Sequence, residues 1–356
     1  MLKVNVYHLR PGYKLTKDVM GKTLNPIIPK GTVLTKQLID ILKEFDIGEV
    51  WAEYSNISGN SRDLKANTAE VEAIAPDLKA LYLAAVKSCQ RDFKNWQAGA
   101  KVKVEEVRDY LIPLFQYIEN NPSSIGIIHH FSNKEEYLYH HAVSVGLLSG
   151  AIAQKMNLKK GDHYQAALAG FLADIGMARI PQHLLKKAND LTSMAFEEVK
   201  SHPVNSLKMI QHSSLLKPET KLAILQHHER LDRSGYPFGE SPNRIPIMSR
   251  IVAVSDVYHA IVCDHIYKKR KIPFQAIEEL TADYFGKFDI SILNVLIQLV
   301  ARLSIGTKVL LSNHEEAKVI YPKQTAPIKP LVKILSSGMM LDLEKSRDIS
   351  IVELVK

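Results

Sequence analysis

A chain of 356 residues, 46% apolar and 24% charged, has the composition of a folded globular protein. That excludes wholesale disorder and a fibrous class, and the length fits one large domain with small flanking pieces. The net charge of +8 admits an anionic partner, either nucleic acid or a phosphorylated small molecule. However, the basic residues are spread along the chain, and the densest run, Lys268-Lys269-Arg270-Lys271, reads equally well as a solvated helix end. No nucleic-acid-reading motif accompanies it, so no nucleic-acid polymer is expected as a partner.

Cys89 and Cys263 are far apart and fit no thiolate metal pattern, so a reducing cytoplasm is the expected setting. The first residues lack the apolar run of a secretory signal. The uncharged stretch Ala142 to Gln154 is too short for a bilayer span.

Residues 1 to 54 read as a small β-rich module, with turn signals at Pro11-Gly12, Asn25-Pro26 and Lys30-Gly31. A helix from Lys36 to Phe45, with Leu38, Ile41, Leu42 and Phe45 on one face, and a strand from Ile47 to Trp51 close it. Ser55 to Asn67 has linker composition. From Thr68 to Leu303 the pattern predicts helices near 70–98, 101–119, 135–156, 163–173, 193–211, 218–229, 246–263, 273–285 and 290–303. Residues 304 to 356 form a β-rich appendage, with short runs at Lys308–Leu311, Ala317–Ile320 and Val332–Leu335. The fold class is therefore mainly α, a helical bundle flanked by two small β-rich pieces.

Five helical segments carry His or Asp at positions whose apolar neighbours point inward. His141 lies in the stripe Leu138, Val145, Leu148 and Ile152, and Asp174 follows Phe171 by three positions and Ala167 by seven. His202 follows Val199 by three, and Pro203 behind it ends or kinks that helix. His227 and His228 close another helix. Asp256 interrupts the apolar run Ile251 to Tyr258, where a carboxylate is normally avoided. Taken singly, each has a plainer explanation. A histidine in an amphipathic helix is more often a hydrogen-bonded core residue, Asp256 could pair with Arg250 or Arg244, and His227-His228 could cap a helix C-terminus. Together they offer the imidazole and carboxylate donors that iron, manganese or zinc accept.

From His227 the chain reads HHERLDRSGYPFGE, which resembles the signature of the HD-GYP family of metal-dependent phosphohydrolases. The similarity runs over roughly residues 135 to 285, through LADIGMARIPQHLLKK, EEVKSHPVNSLKMI and SRIVAVSDVYHAIVCDHIYKK. It implies an HD-superfamily bundle and cyclic di-GMP phosphodiesterase chemistry. His141, Asp174, His202, His227, His228 and Asp256 would be the metal ligands, with Asp174 bridging two ions. Gly235, Tyr236 and Pro237 of the turn, Arg250 and Lys268 would face the substrate.

The chain departs from that pattern at several positions. The His-Asp pair that names the fold reads Ala173-Asp174, and the lysine expected after Asp-Ile-Gly is Met177. A phosphate-facing arginine is His265, the glycine after Asp232 is Arg233, and the glutamate of members with a third metal is Tyr137. One or two ions are therefore implied, with the set around His202, His227, His228 and Asp174 complete and the set around His141, Asp174 and Asp256 short of one histidine. The implied function is a degenerate member that binds cyclic di-GMP, or a diguanylate cyclase (GGDEF-type) partner, with catalysis weak or lost. The alternative is an active phosphodiesterase that opens the 3',5'-phosphodiester to pGpG or GMP.

Overall fold

The structure is a computed structural model, and it describes residues 2–20, 26–44, 47–54, 68–181, 184, 193–263, 271–282, 286–301, 303–323, 326–346 and 348–355. The chain forms two compact units, residues 1–66 with 303–356, and residues 67–302. The predicted linker, Ser55 to Asn67, lies outside the described residues.

In the first unit, strands β1 (Leu2–Asn5), β2 (Tyr13–Leu15), β3 (Val19–Met20) and β4 (Pro26–Ile28) precede helix α1 (Lys36–Glu44) and strand β5 (Glu49–Tyr54). β5 pairs antiparallel with β1 and β2, while β3 and β4 make a hairpin. Alternation supplies the core: Leu15, Val50 and Ala52 point inward from the sheet and meet Ile39 and Leu42 of α1. Strands β6 (Lys308–Leu311), β7 (Glu316–Tyr321), β8 (Leu331–Ile334), β9 (Met340–Asp342) and β10 (Ile351–Val355) form an antiparallel sheet in the order β10-β6-β7-β8-β9. The sequence pattern marks β6, β7 and β8. It does not mark β9, which is three residues long with no buried position, or β10, which pairs with β6 across a register shift.

The second unit is helical: α2 (Thr68–Gln97), α3 (Val104–Asn120), α4 (Tyr137–Lys155), α5 (Lys160–Leu172), α6 (Ser193–Val199), α7 (His202–Ile210), α8 (Pro218–Gln226), α9 (Ile247–Val262), α10 (Pro273–Ala282) and α11 (Ile290–Val300). α4 is buried without interruption from His140 to Ala153. A helix buried on all sides has to lie at the centre, and α4 packs against α2, α3, α5, α9 and α11. Gly170 permits the contact with α5, because a Cβ there would strike the Val145 carbonyl at 2.6 Å. Among the described residues, no helix is long and apolar enough to cross a membrane.

Candidate metal centre

The helical unit places each sequence-predicted donor near a helix end or in the central layer. His141 enters the interior one turn into α4 and is 4% exposed. α5 stops at Leu172, Ala173 caps it, and Asp174 begins the short 3-10 turn Ile175–Arg179. A clip fixes that turn on α7: the Gly176 N–H donates to Ser206 Oγ (2.8 Å), and the Ser206 hydroxyl donates to the Ala173 carbonyl (2.6 Å). Where the sequence pattern predicts one helix over 193–211, the chain breaks between Val199 and His202. Pro203 then occupies the first turn of α7, where its missing N–H has no partner to lose. His227 caps α8, His228 follows it, and Asp256 projects from the middle of α9.

These six side chains converge. Asp174 Oδ1 lies 3.1 Å from His202 Nε2 and 3.4 Å from His227 Nε2, while its Oδ2 lies 3.4 Å from His141 Nε2. Asp256 Oδ1 is 2.9 Å from His141 Nε2, and its Oδ2 is 3.5 Å from His228 Nδ1. Asp256 thus pairs with imidazoles and not with Arg244 or Arg250, which decides between the two sequence readings of that residue. Two overlapping groups result, Asp174-His202-His227-His228 and His141-Asp174-Asp256, with the donor atoms of each group within 4.8 Å of one another.

The first group fits a cation on the chemistry of its donors. His202 Nδ1 lies 2.8 Å from the Val199 carbonyl and His227 Nδ1 lies 2.7 Å from the Ile224 carbonyl. A carbonyl only accepts, so both rings carry a proton on Nδ1, and in the neutral form of each ring Nε2 presents a lone pair. Those two lone pairs face each other at 3.1 Å, and His228 Nε2 stands 3.1 Å from His202 Nε2. Converging lone pairs require a proton or a metal ion between them, and buried imidazoles with one carboxylate suit iron, manganese or zinc.

The same crowding governs the titration of the group. Burial opposes charge on His202, but the hydrogen bond and charge of Asp174 outweigh it and raise His202 above the ordinary histidine value. His141 is raised in the same way, against burial, by Asp256 and then Asp174. Burial also opposes charge on Asp174, yet hydrogen bonds from His202 and His227 hold it well below the usual carboxylate range. Burial with His227 and His202 alongside pushes His228 well down, so it stays neutral. In the second group, two donors, Asp174 and Asp256, accompany His141, and Ala173, buried and next to Asp174 in the chain, contributes none.

The loop after His228 is closed by a carboxylate. Glu229, 2% exposed, accepts hydrogen bonds from the Phe238 N–H (2.8 Å) and the Glu240 N–H (2.9 Å). Gly235 is obligatory, since a Cβ would collide with the His228 carbonyl and the Arg230 amide. The turn sets the Tyr236 ring beside His228, with centroids 4.6 Å apart, and Pro237 follows through a cis peptide. Arg233, where the signature that the sequence resembles has glycine, sits at φ 66°, in the left-handed region.

Arg250 is not brought to this cluster. Its three guanidinium nitrogens donate to the Ile245 carbonyl (2.7 Å), the Pro242 carbonyl (2.8 Å) and Asp289 Oδ2 (3.0 Å). It pins the segment before α9 to Asp289, and a phosphate role would require it to leave all three partners. Lys268 and His265 lie outside the described residues.

Sequence reasoning passed over two neighbours of the site, His259 and Lys200, and took Tyr137 only as the residue standing where a third-metal glutamate is expected. Tyr137 places its hydroxyl 3.2 Å from His141 Nδ1, and the fully buried His259 places its Nδ1 3.0 Å from the same atom. Lys200, paired with Glu197 at 2.7 Å, sits 5.7 Å from the Tyr236 ring centroid. The available signals were spacings: Tyr137 precedes His141 by one helical turn, and His259 follows Asp256 by three residues on α9.

Comparison with known proteins agrees with this geometry. A family model described as HD domain matches residues 127–292. The chain is 31% identical to the cyclic di-GMP phosphodiesterase PA4108 of Pseudomonas aeruginosa over 69% of this chain and 59% of the relative. It is 37% identical to a cyclic di-GMP phosphodiesterase of Thermotoga maritima over 40% of this chain and 39% of that relative. These matches thus span between about two fifths and three fifths of each relative. Among solved structures, Bd1817, a HDG"Y"P protein from Bdellovibrio bacteriovorus, superposes with a TM-score of 0.52 at 15% identity, covering 83% of this chain and 98% of that one, a likeness of fold. Signature turn, His/Asp cluster, domain match and shared fold point the same way: residues 127–292 match an HD domain and are similar to the cyclic di-GMP phosphodiesterases named above.

Proposed function

We propose that the chain is a degenerate HD-GYP protein that binds a cyclic dinucleotide of the cyclic di-GMP type, or a diguanylate cyclase (GGDEF-type) partner, with hydrolysis weak or lost. The observation that carries this is the unequal division of donors around Asp174. One oxygen lies against His202 and His227, in a group that His228 completes to four donors; the other lies against His141, in a group of three, and Ala173 beside Asp174 in the chain adds no donor. Divalent cations at such a site polarise a phosphate oxygen and acidify water.

His202, His227 and His228 with Asp174 would hold one ion, either iron, manganese or zinc, through a full complement of four protein donors. His141, Asp174 and Asp256 would hold a second through three. Losing one imidazole from a site of this kind weakens it by at least the 10- to 100-fold typical of losing a ligand's supporting partner. Asp174, shared by both groups, would set their separation, and Gly235, Tyr236 and Pro237 would wall the side next to His228. Met177 stands where a phosphate-neutralising lysine is expected, whereas Lys268 is retained. The names of the relatives supply the ligand class.

A second reading, an active phosphodiesterase that opens the 3',5'-phosphodiester to pGpG or GMP, is favoured by the retention of six buried donors, since apolar residues would pack there without a desolvation penalty. Calorimetry of the manganese-loaded chain with cyclic di-GMP, beside a turnover assay against Asp174→Asn, tests both. Binding with no turnover above the Asp174→Asn background is the expected result. Turnover above that background establishes the second reading, and absence of nucleotide binding contradicts the ligand assignment.

A further inference from the structure

Around His141 the hydrogen bonds continue past the metal cluster into the protein interior. His141 Nε2 faces the donors, 2.9 Å from Asp256 Oδ1. Its other nitrogen, Nδ1, is 3.0 Å from His259 Nδ1, and His259 Nε2 is 3.2 Å from Cys263 Sγ. His259 is 0% exposed, so neither of its ring nitrogens reaches water. His259 and Cys263 are one turn apart on the inward face of α9, and Asp256 lies nearly one turn before them.

Two facing ring nitrogens at 3.0 Å make a hydrogen bond only if one carries the proton and the other does not. The assignment follows from the donor role of His141. An imidazole that offers the Nε2 lone pair to a cation keeps its proton on Nδ1, and that N–H needs an acceptor. His259 Nδ1 is that acceptor when the His259 proton sits on Nε2, from where it points at the Cys263 sulfur. Without a cation, the same Nε2 carries a proton and donates it to Asp256 Oδ1.

Resting on the metal reading above, we infer that His259 is a positioning residue for the incomplete metal group: it accepts the Nδ1–H of His141 and so fixes the ligating tautomer and ring orientation of that histidine, with Cys263 holding its far nitrogen. Tyr137 is the rival acceptor, with its hydroxyl 3.2 Å from His141 Nδ1. Imidazole nitrogen is the more basic acceptor and the closer one, and without this bond His259 Nδ1 would be buried beside a nitrogen it could not engage. With only three donors in the group, the orientation of His141 carries a larger share of its affinity than it would in a complete site.

The test uses the 356-residue chain, stripped with chelator and titrated with Mn²⁺, together with His259→Phe, His259→Asn and Tyr137→Phe. Phenylalanine keeps the bulk and removes the acceptor, whereas asparagine places Oδ1 near the position of Nδ1. The expected result is a loss of about 10- to 100-fold in the weaker class of Mn²⁺ sites for His259→Phe, with His259→Asn and Tyr137→Phe close to the unsubstituted chain. Equal losses for phenylalanine and asparagine mean packing alone and overturn the inference, as does a loss found only in Tyr137→Phe. A second readout needs no variant: long-range ¹H–¹⁵N spectra of the Zn²⁺-loaded chain should show His141 protonated on Nδ1 and His259 on Nε2. A loaded chain with His259 protonated on Nδ1 overturns the inference and leaves the metal reading standing. A chain that takes up neither Mn²⁺ nor Zn²⁺ overturns both.

Discussion

Stripping and reloading metal at two pH values probes the cluster through its own protons. In the stripped chain, His202 and His141 have values raised above that of a free histidine by Asp174 and Asp256. A raised histidine contributes stability that is fully present below its unfolded value of about 6.5 and is lost as pH climbs through the higher folded value. Asp174, held low, contributes above the ordinary carboxylate value and loses this only on strong acidification, outside the window of interest. A metal ion replaces the shared protons, so its apparent affinity rises with pH. Metal at about 100 times its dissociation constant stabilises by about 2.7 kcal/mol. For a unit the size of residues 67–302 that corresponds to a Tm rise of about 5–10 °C. Differential scanning calorimetry with Mn²⁺ and with chelator should show this gap at pH 8 and a clearly smaller one at pH 5.5, where protons compete for the same lone pairs. A gap at pH 5.5 equal to or larger than that at pH 8 would refute the placement of the cation between these histidines.

The loop and its supports give further expectations. Gly235→Ala drives a methyl into the His228 carbonyl and the Arg230 amide, so urea denaturation should show a loss of at least about 2 kcal/mol together with reduced metal content. Arg250→Ala leaves Asp289 and the carbonyls of Ile245 and Pro242 without their donor; a loss of about 2–3 kcal/mol is expected, with metal content unchanged. Depletion of metal in that variant would return Arg250 to the site. Arg233→Gly relieves a left-handed backbone and should raise stability by up to about 1 kcal/mol, read as a higher urea midpoint; a lower midpoint would show that the Arg233 side chain supports the loop.

Much of the site was legible in the sequence because a buried charge is conspicuous. Asp256 inside an apolar run and His141 within a helical stripe break the hydrophobic pattern, and the structure brings both to the same cluster. Less conspicuous were residues whose role depends on a partner distant in the chain. Arg250 reads as a substrate-facing cation or a partner for Asp256 until Asp289, 39 residues later, is placed beside it. His259 sits on the buried face of α9 like any core histidine, and its function becomes visible only when α4 brings His141 against it. Glu229 belongs to the signature, but its two backbone partners lie 9 and 11 residues on, across a turn whose shape no periodicity encodes. The break between α6 and α7 was half visible in Pro203, which marks a discontinuity without telling a kink from a fresh start. Strands β9 and β10 carry too little alternation to register locally and depend on the sheet they join.

Metal stoichiometry and cyclic di-GMP turnover, measured side by side on the natural chain and on an Ala173→His, Met177→Lys variant, bear most directly on the idea of a half-complete centre. The natural chain should retain close to one tightly held ion and hydrolyse little or nothing, while the double variant should retain two and gain turnover. Two tightly held ions with full turnover in the natural chain would contradict it.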